Sequence, residues 1–232
     1  MSISASWPGA ILFDLDGTLA DSVPDLAGAL SDLFEEEGHR RFELDEVRLM
    51  VGGGVPKLIE RGLRALDVPG DGGKIEALTD RFLELYTPRA TRLTRLFPGA
   101  LELLEELHGA GVGLGVCTNK PEAVSRHILE ELGVAPMLGA VIGGDSLPVK
   151  KPDPAPVLAA LEQLNCPPES GLMIGDSGVD ANAARAAGIA IILVTFGYTR
   201  TPAVELGADA TVDSFDEIPK VLEKFEKFTS AG

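Results

Sequence analysis

In the stretch ILFDLDGTLADS, residues 11–22, an apolar run ends in two aspartates one residue apart. Like charges this close raise each other's pKa and cost folding free energy, so Asp14 and Asp16 imply a cation or a reaction that needs both. Other short apolar runs follow: VGLGVC before Thr118 and Asn119, AVIGG before Asp145, LMIG before Asp176 and IAIILVT before Phe196. Lys151 lies in VKKPDP. Ligands of open α/β sheets bind beyond the carboxyl ends of the strands. If the runs are neighbouring strands, Asp14, Asp16, Thr118, Asn119, Lys151 and Asp176 share one cleft.

That set has a definite chemical capacity. Asp14 and Asp176 are hard oxygen ligands with no His or Cys beside them, which suits Mg2+. Magnesium keeps several waters, so two carboxylates and one backbone carbonyl are enough protein, and a phosphoryl oxygen can complete the shell. Thr118, Asn119 and Lys151 can donate to the remaining phosphate oxygens. An aspartate can then attack phosphorus to give an acyl phosphate. Asp16 would protonate the leaving alkoxide and later take a proton from water. Gly17 permits a sharp turn after the pair.

The positioning elements are legible as alternation. Short apolar runs bounded by turn residues read as strands buried on both faces. Between them lie the helical patterns PGALELLEELHGAG, KPEAVSRHILEELG and SGVDANAARAAG, each closed by glycine. The expected fold class is α/β, a doubly wound parallel sheet with a Rossmann-like core. Residues 20–92 break the rhythm, with helical patterns and no strand. VPDLAGALSDLFEEEG sets Leu26, Leu30, Leu33 and Phe34 on one side, and VPKLIERGLRALD and KIEALTDRFLELYTPRA follow. PGDGGK, residues 69–74, reads as a loop. The expectation is a small inserted α-helical cap domain, 20–92, on a core of 1–19 plus 93–232. Within it, the three glycines of VGGGVPKLIERG, residues 51–62, precede a helix carrying Lys57 and Arg61. They could bring backbone N–H groups and a cation over the cleft.

Composition narrows the partners. The chain has 232 residues, 45% of them apolar, and a formal net charge of −16. Such a surface repels phosphate backbones and anionic lipid, so neither nucleic acid nor membrane is expected, and an anion site must be locally positive. Cys117 and Cys166 show neither a pairing pattern nor metal-ligand spacing, which fits reduced thiols. MSISASWPGAILF lacks the basic and long apolar regions of a signal peptide. No run approaches the roughly 18 residues of a membrane helix. A cytoplasmic enzyme, monomer or homodimer, is expected.

DLDGT, TNK, KKPDP and GDSGVD resemble, in order and spacing, the four motifs of the haloacid dehalogenase superfamily, and the helical insertion resembles its first type of cap. FDLDGTLADS, VCTNKP, VIGGDSLPVKKPDPAP and GDSGVDANAARAAG are similar to its bacterial phosphoglycolate phosphatases. The resemblance implies Asp14 as nucleophile and Asp16 as acid/base. It implies Mg2+ held by Asp14, the Asp16 carbonyl and Asp176, with Asp180 supporting that site from behind. Thr118, Asn119 and Lys151, the lysine next to proline rather than Lys150, would bind phosphate. Gly53, Gly54, Lys57 and Arg61 of the cap would meet the substrate, a small phosphorylated metabolite and foremost 2-phosphoglycolate. Asp180 could instead cap the helix it opens. A sugar-phosphate phosphomutase is the alternative within the superfamily; such mutases often carry a branched apolar residue where Thr18 stands, which favours water as acceptor. A phospho-accepting signalling module would lack both the cap and Asp16, and a dehalogenase would need neither Mg2+ nor Asp16.

Overall fold

Ala10–Phe13 forms strand β1, and all four side chains are buried. They have no solvent face, because β1 sits mid-sheet with a parallel partner at each edge and apolar clusters cover both of its faces. The computed structural model describes residues 8–229; the N-terminal segment read above for signal-peptide character lies largely outside them. The partners of β1 are β4 (Gly113–Cys117) and β6 (Gly171–Gly175). Beyond them lie β5 (Ala140–Ile142), β7 (Ala190–Val194) and β8 (Ala210–Val212), in the order β5-β4-β1-β6-β7-β8. Every pairing in this sheet is parallel.

Alternate residues of β1 face opposite sides. Ile11 and Phe13 join one apolar cluster with α5 (Ala100–Gly109), α6 (Glu122–Glu131) and α9 (Ile218–Thr229). Ala10 and Leu12 join the other with α7 (Ala155–Gln163) and α8 (Gly178–Ala187). Helices thus cover both faces, as the doubly wound expectation requires. Each fully buried Leu, Ile or Phe contributes about 1.5–3 kcal/mol of transfer free energy. The strand ends that carry the polar residues are therefore rigidly placed.

Four helices lie between β1 and α5: α1 (Val23–Glu36), α2 (Leu44–Arg48), α3 (Val55–Ala65) and α4 (Gly72–Tyr86). Leu26, Leu30, Leu33 and Phe34 of α1 are all buried, as their spacing predicts. Gly62 lets α3 approach α1, since a Cβ there would lie 2.8 Å from the Phe34 ring.

Local expectations need correction in three places. A two-residue strand, β2 (Ala20–Asp21), pairs antiparallel with β3 (Arg95–Leu96) where the chain leaves and rejoins the sheet domain. A strand so short has no periodicity to detect. The Asp25 carboxylate ties the same junction by accepting from Leu93 N, Thr94 N and Thr94 Oγ1 at 2.8–2.9 Å. The 69–74 loop is shorter than expected, because the Asp71 side chain accepts from Lys74 N and starts α4 at Gly72. Helix α7 was masked by the prolines of KKPDPAP, of which Pro154 is its N-cap and Pro156 lies in its first turn. No described helix is long and apolar enough to cross a membrane.

Candidate active site

Asp14 follows β1, Thr118 follows β4 and Asp176 follows β6, so three adjacent strands deliver their terminal residues to one edge. Main-chain bonds continue the ladder past the strand ends: Asp14 N–H donates to Ile174 O and Thr118 N–H to Ile142 O, both at 2.9 Å. Gly17 turns the chain with φ +86°. A Cβ there would also lie 2.4 Å from Asp176 Oδ2, so glycine is needed for conformation and for space alike.

Lys151 is buried, and its ammonium donates to Cys117 O (2.6 Å) and Asp180 Oδ1 (2.6 Å) and pairs with Asp14 Oδ1 (3.1 Å). Three acceptors match its three N–H groups. Burial alone would favour loss of its proton, but Asp14 and Asp180 outweigh that and hold the charge. Asp180 also accepts from Ser177 N (3.1 Å) and Ser177 Oγ (2.6 Å), a reciprocal cap on α8. The two readings of Asp180 are therefore compatible: it caps its helix with one oxygen and braces Lys151 with the other.

Asp14, Asp176 and Asp180 each offer an oxygen within 4.8 Å of the others. Burial pushes the Asp14 carboxyl up to about 6, with Lys151 opposing the shift. Asp176 is raised well above the usual carboxylate range by burial and then by Asp180 and Asp14, although Tyr198 N donates to its Oδ2 at 2.6 Å. Three crowded carboxylates against one ammonium leave negative charge in a dry place, and every donor is a hard oxygen. The set fits a divalent cation such as Mg2+. The Asp16 carbonyl accepts no hydrogen bond from the described residues and is free to join it.

The Asp16 side chain turns away from this cluster. It accepts from Ser22 Oγ and from Lys120 Nζ at 2.9 and 3.1 Å. Lys120, the third residue of TNK, had no assigned role in the sequence reading. It is buried, and its ammonium lies 4.7 Å from the Tyr86 ring centroid of α4. Desolvation opposes its charge, but Asp16 and then Tyr86 hold it above its usual range. The available signal was position: a lysine directly behind an apolar strand is buried only when paired. Lys120→Met should strand the Asp16 charge and lower stability by about 3 kcal/mol or more. Asp16→Asn combined with Lys120→Met should recover much of that loss in chemical denaturation; additive losses would show that the two groups do not interact.

Asn119 lines the same cavity, and one N–H of its Nδ2 donates to Lys151 O at 2.8 Å, so the amide also fixes the Lys151 loop. Thr118 Oγ1 accepts from Lys120 N at 3.3 Å, which leaves its hydroxyl proton free to donate. Cys117 is a buried hydrophobe whose thiol burial pushes up to about 12.

These residues floor a cavity of about 440 Å³, roofed by α1, α3, α4 and the glycine loop. Gly52, Gly53 and Gly54 all have positive φ, 104°, 86° and 90°, and all three line the cavity. Lys150 donates to Gly53 O at 3.0 Å and latches this loop to the sheet domain. Lys57 must be corrected as well. It does not line the cavity; its ammonium pairs with Glu60 at 2.6 Å, one turn along the exposed face. Arg61 does line the cavity, and so does Arg200 from the loop after β7, which the sequence reading passed over.

A family model described as haloacid dehalogenase-like hydrolase matches residues 11–194. The chain is 44% identical over 210 residues to a phosphoglycolate phosphatase of Caulobacter vibrioides, covering 90% of this chain and 89% of that protein. It is 43% identical over 215 residues to one from Cereibacter sphaeroides, covering 93% and 97%. The crystal structure of a predicted phosphoglycolate phosphatase from Haemophilus somnus matches with a TM-score of 0.85 at 31% identity, covering 92% of this chain and 97% of that one. The chain belongs to the haloacid dehalogenase-like hydrolase family. It is a phosphoric monoester hydrolase of the phosphoglycolate phosphatase-like kind.

Proposed function

We propose that the protein hydrolyses 2-phosphoglycolate to glycolate and phosphate through a phosphoryl group carried on Asp14. The observation that carries this reading is the division of labour between two aspartates one residue apart. Asp14 joins Lys151 and the acidic cluster, whereas Asp16 is held apart on Lys120 and Ser22. The names of the relatives point to the same substrate.

An Asp14 oxygen bonds to phosphorus as the ester P–O bond breaks, and Asp16, carrying a proton taken from solvent before the first turnover and from the attacking water thereafter, gives it to the departing alkoxide. Asp16, now a carboxylate, takes a proton from water; the water oxygen bonds to phosphorus, the bond to Asp14 breaks and phosphate leaves. Thr118 and Lys151 offset charge on the phosphoryl oxygens. Asn119 keeps the Lys151 loop in register. Mg2+ held by Asp14, the Asp16 carbonyl and Asp176, with Asp180 bracing Lys151 behind them, supplies further neutralisation of phosphoryl charge when bound. In this reading residues 20–92 act as a cap on the core of 1–19 plus 93–232, and its closure excludes bulk water. The reaction belongs in the cytoplasm, where Cys117 and Cys166 stay reduced.

The reading makes cation binding pH-dependent. With its carboxyl at about 6, Asp14 must lose a proton to serve as ligand, so Mg2+ affinity should fall as pH drops through about 6. The cation-free protein should behave oppositely. The folded Asp14 holds its proton more tightly than the unfolded carboxyl at 3.8, so stability is lost as pH rises from about 4 to about 6. Mg2+ titrations followed by thermal unfolding at about pH 5 and about pH 8 check both signs; equal affinity at the two would remove Asp14 from the ligand set.

The substrate is tested by kcat/KM for phosphoglycolate against glucose phosphates and nucleotides. Phosphoglycolate should lead, because a small acid fits under a closed roof and a long substrate would prop it open. A preference for a hexose phosphate would discard phosphoglycolate.

A further inference from the structure

Phosphoglycolate carries two anions, and the residues around Asp14 answer only the phosphate. The second needs cations elsewhere in the same cavity. Lys57 is turned outward onto Glu60. Arg61, from α3, and Arg200, from the loop after β7, line the cavity from its cap and core sides. Neither forms an ion pair with any described residue. Their partners are main-chain carbonyls of one short stretch. Arg200 Nε donates to Leu49 O (3.1 Å), and Arg61 Nη1 donates to Met50 O (2.7 Å), Val51 O (3.1 Å) and Gly52 O (2.7 Å). The two guanidiniums are close enough to repel: Arg61 is held below its usual range by burial and then by Arg200.

Two guanidiniums held on neighbouring main-chain carbonyls at the wall of one cavity, neither of them ion-paired and with the nearby Glu60 already paired to Lys57 and Arg64, make that wall locally positive in a chain of net charge −16, which suits an anion. Both Nη groups of Arg200, and Nε and Nη2 of Arg61, have no protein acceptor among the described residues. A carboxylate can take such donors in pairs. We propose that Arg61 and Arg200 form a carboxylate subsite that makes the enzyme specific for phosphorylated acids over uncharged phosphate esters. This rests on reading the cavity as a phosphatase site for a small phosphorylated acid. One guanidinium belongs to the cap and the other to the core, so a seated carboxylate also ties cap to core. Recognition and closure then become one event.

The test uses p-nitrophenyl phosphate hydrolysis as reporter and compares phosphoglycolate with ethyl phosphate, which lacks the carboxylate, as competitive inhibitors. In the wild type, phosphoglycolate should bind more tightly than ethyl phosphate. Arg200→Gln should raise the phosphoglycolate inhibition constant about tenfold or more and that of ethyl phosphate less than about twofold. Arg200→Lys should restore part of the difference, because it keeps the charge but not the fork. Arg61→Gln should show the same selectivity on top of a looser glycine loop, whereas Lys57→Gln should change neither constant. Equal weakening of both inhibitors by Arg200→Gln, or no weakening, overturns the subsite. So does a wild type that binds the two equally. If phosphoglycolate binds through Arg200 yet is not hydrolysed, the subsite stands and the proposed substrate falls.

Discussion

Asp14→Asn is expected to lower kcat for phosphoglycolate by about 10⁴-fold or more while the protein remains folded. An amide neither attacks phosphorus nor serves well as a cation ligand. The fold should tolerate it, because Lys151 keeps Asp180 and Cys117 O as acceptors. Removing one of three crowded carboxylates should even raise the unfolding temperature of the cation-free protein at neutral pH, since Asp14 and Asp176 are both disfavoured as anions by their burial. Phosphate release and thermal unfolding on one preparation measure both effects. Retention of more than about a tenth of wild-type turnover would take the covalent role away from Asp14.

Asp16→Asn should cost about 10²–10⁴-fold, the range for a lost general acid/base, without the loss of cation affinity expected for Asp14→Asn. Only its backbone carbonyl is available to the cation, and the substitution leaves that in place. The Asn side-chain oxygen can still accept from Lys120, so the contact with α4 through Tyr86 is retained. The deficit should be larger for an alkyl phosphate, whose leaving oxygen needs a proton, than for p-nitrophenyl phosphate, whose leaving group departs as an anion. Rapid-quench comparison of the first turnover with both substrates isolates the bond-breaking step. Equal first-turnover deficits would argue against proton donation by Asp16.

The sheet and its carboxyl-terminal residues were legible because burial on both faces writes itself as unbroken apolar runs. AILF, GLGVC and LMIG could be neighbours only with Asp14, Thr118 and Asp176 together at one edge. The α1 helix was legible for the same reason at a different period. What the sequence concealed were contacts between parts distant in the chain. Lys120 meets Tyr86 of α4, Asn119 meets the Lys151 carbonyl, and Lys150 meets Gly53. Each is a polar side chain whose partner is chosen by the docking of two segments, and no local spacing encodes that. Lys57 and Arg61 illustrate the limit. Both sit on α3, four residues apart, yet one pairs with Glu60 outside the cavity and the other lines it. Arg200 lay in a loop with no pattern of its own, and only the fold brings it beside Arg61. The paired strands β2 and β3 have two residues each, too few for alternation to register.

The covalent step is the centre of the account, and trapping it is the most direct measurement. Enzyme mixed with Mg2+ and phosphoglycolate, quenched in acid within the first turnover and digested, should yield the peptide containing ILFDLDGT with a phosphoryl group on Asp14. Borohydride reduction should convert that aspartate to homoserine, and Asp14→Asn enzyme should give neither product. Phosphate release with no labelled peptide at any quench time, or a phosphoryl group on a residue other than Asp14, would contradict it.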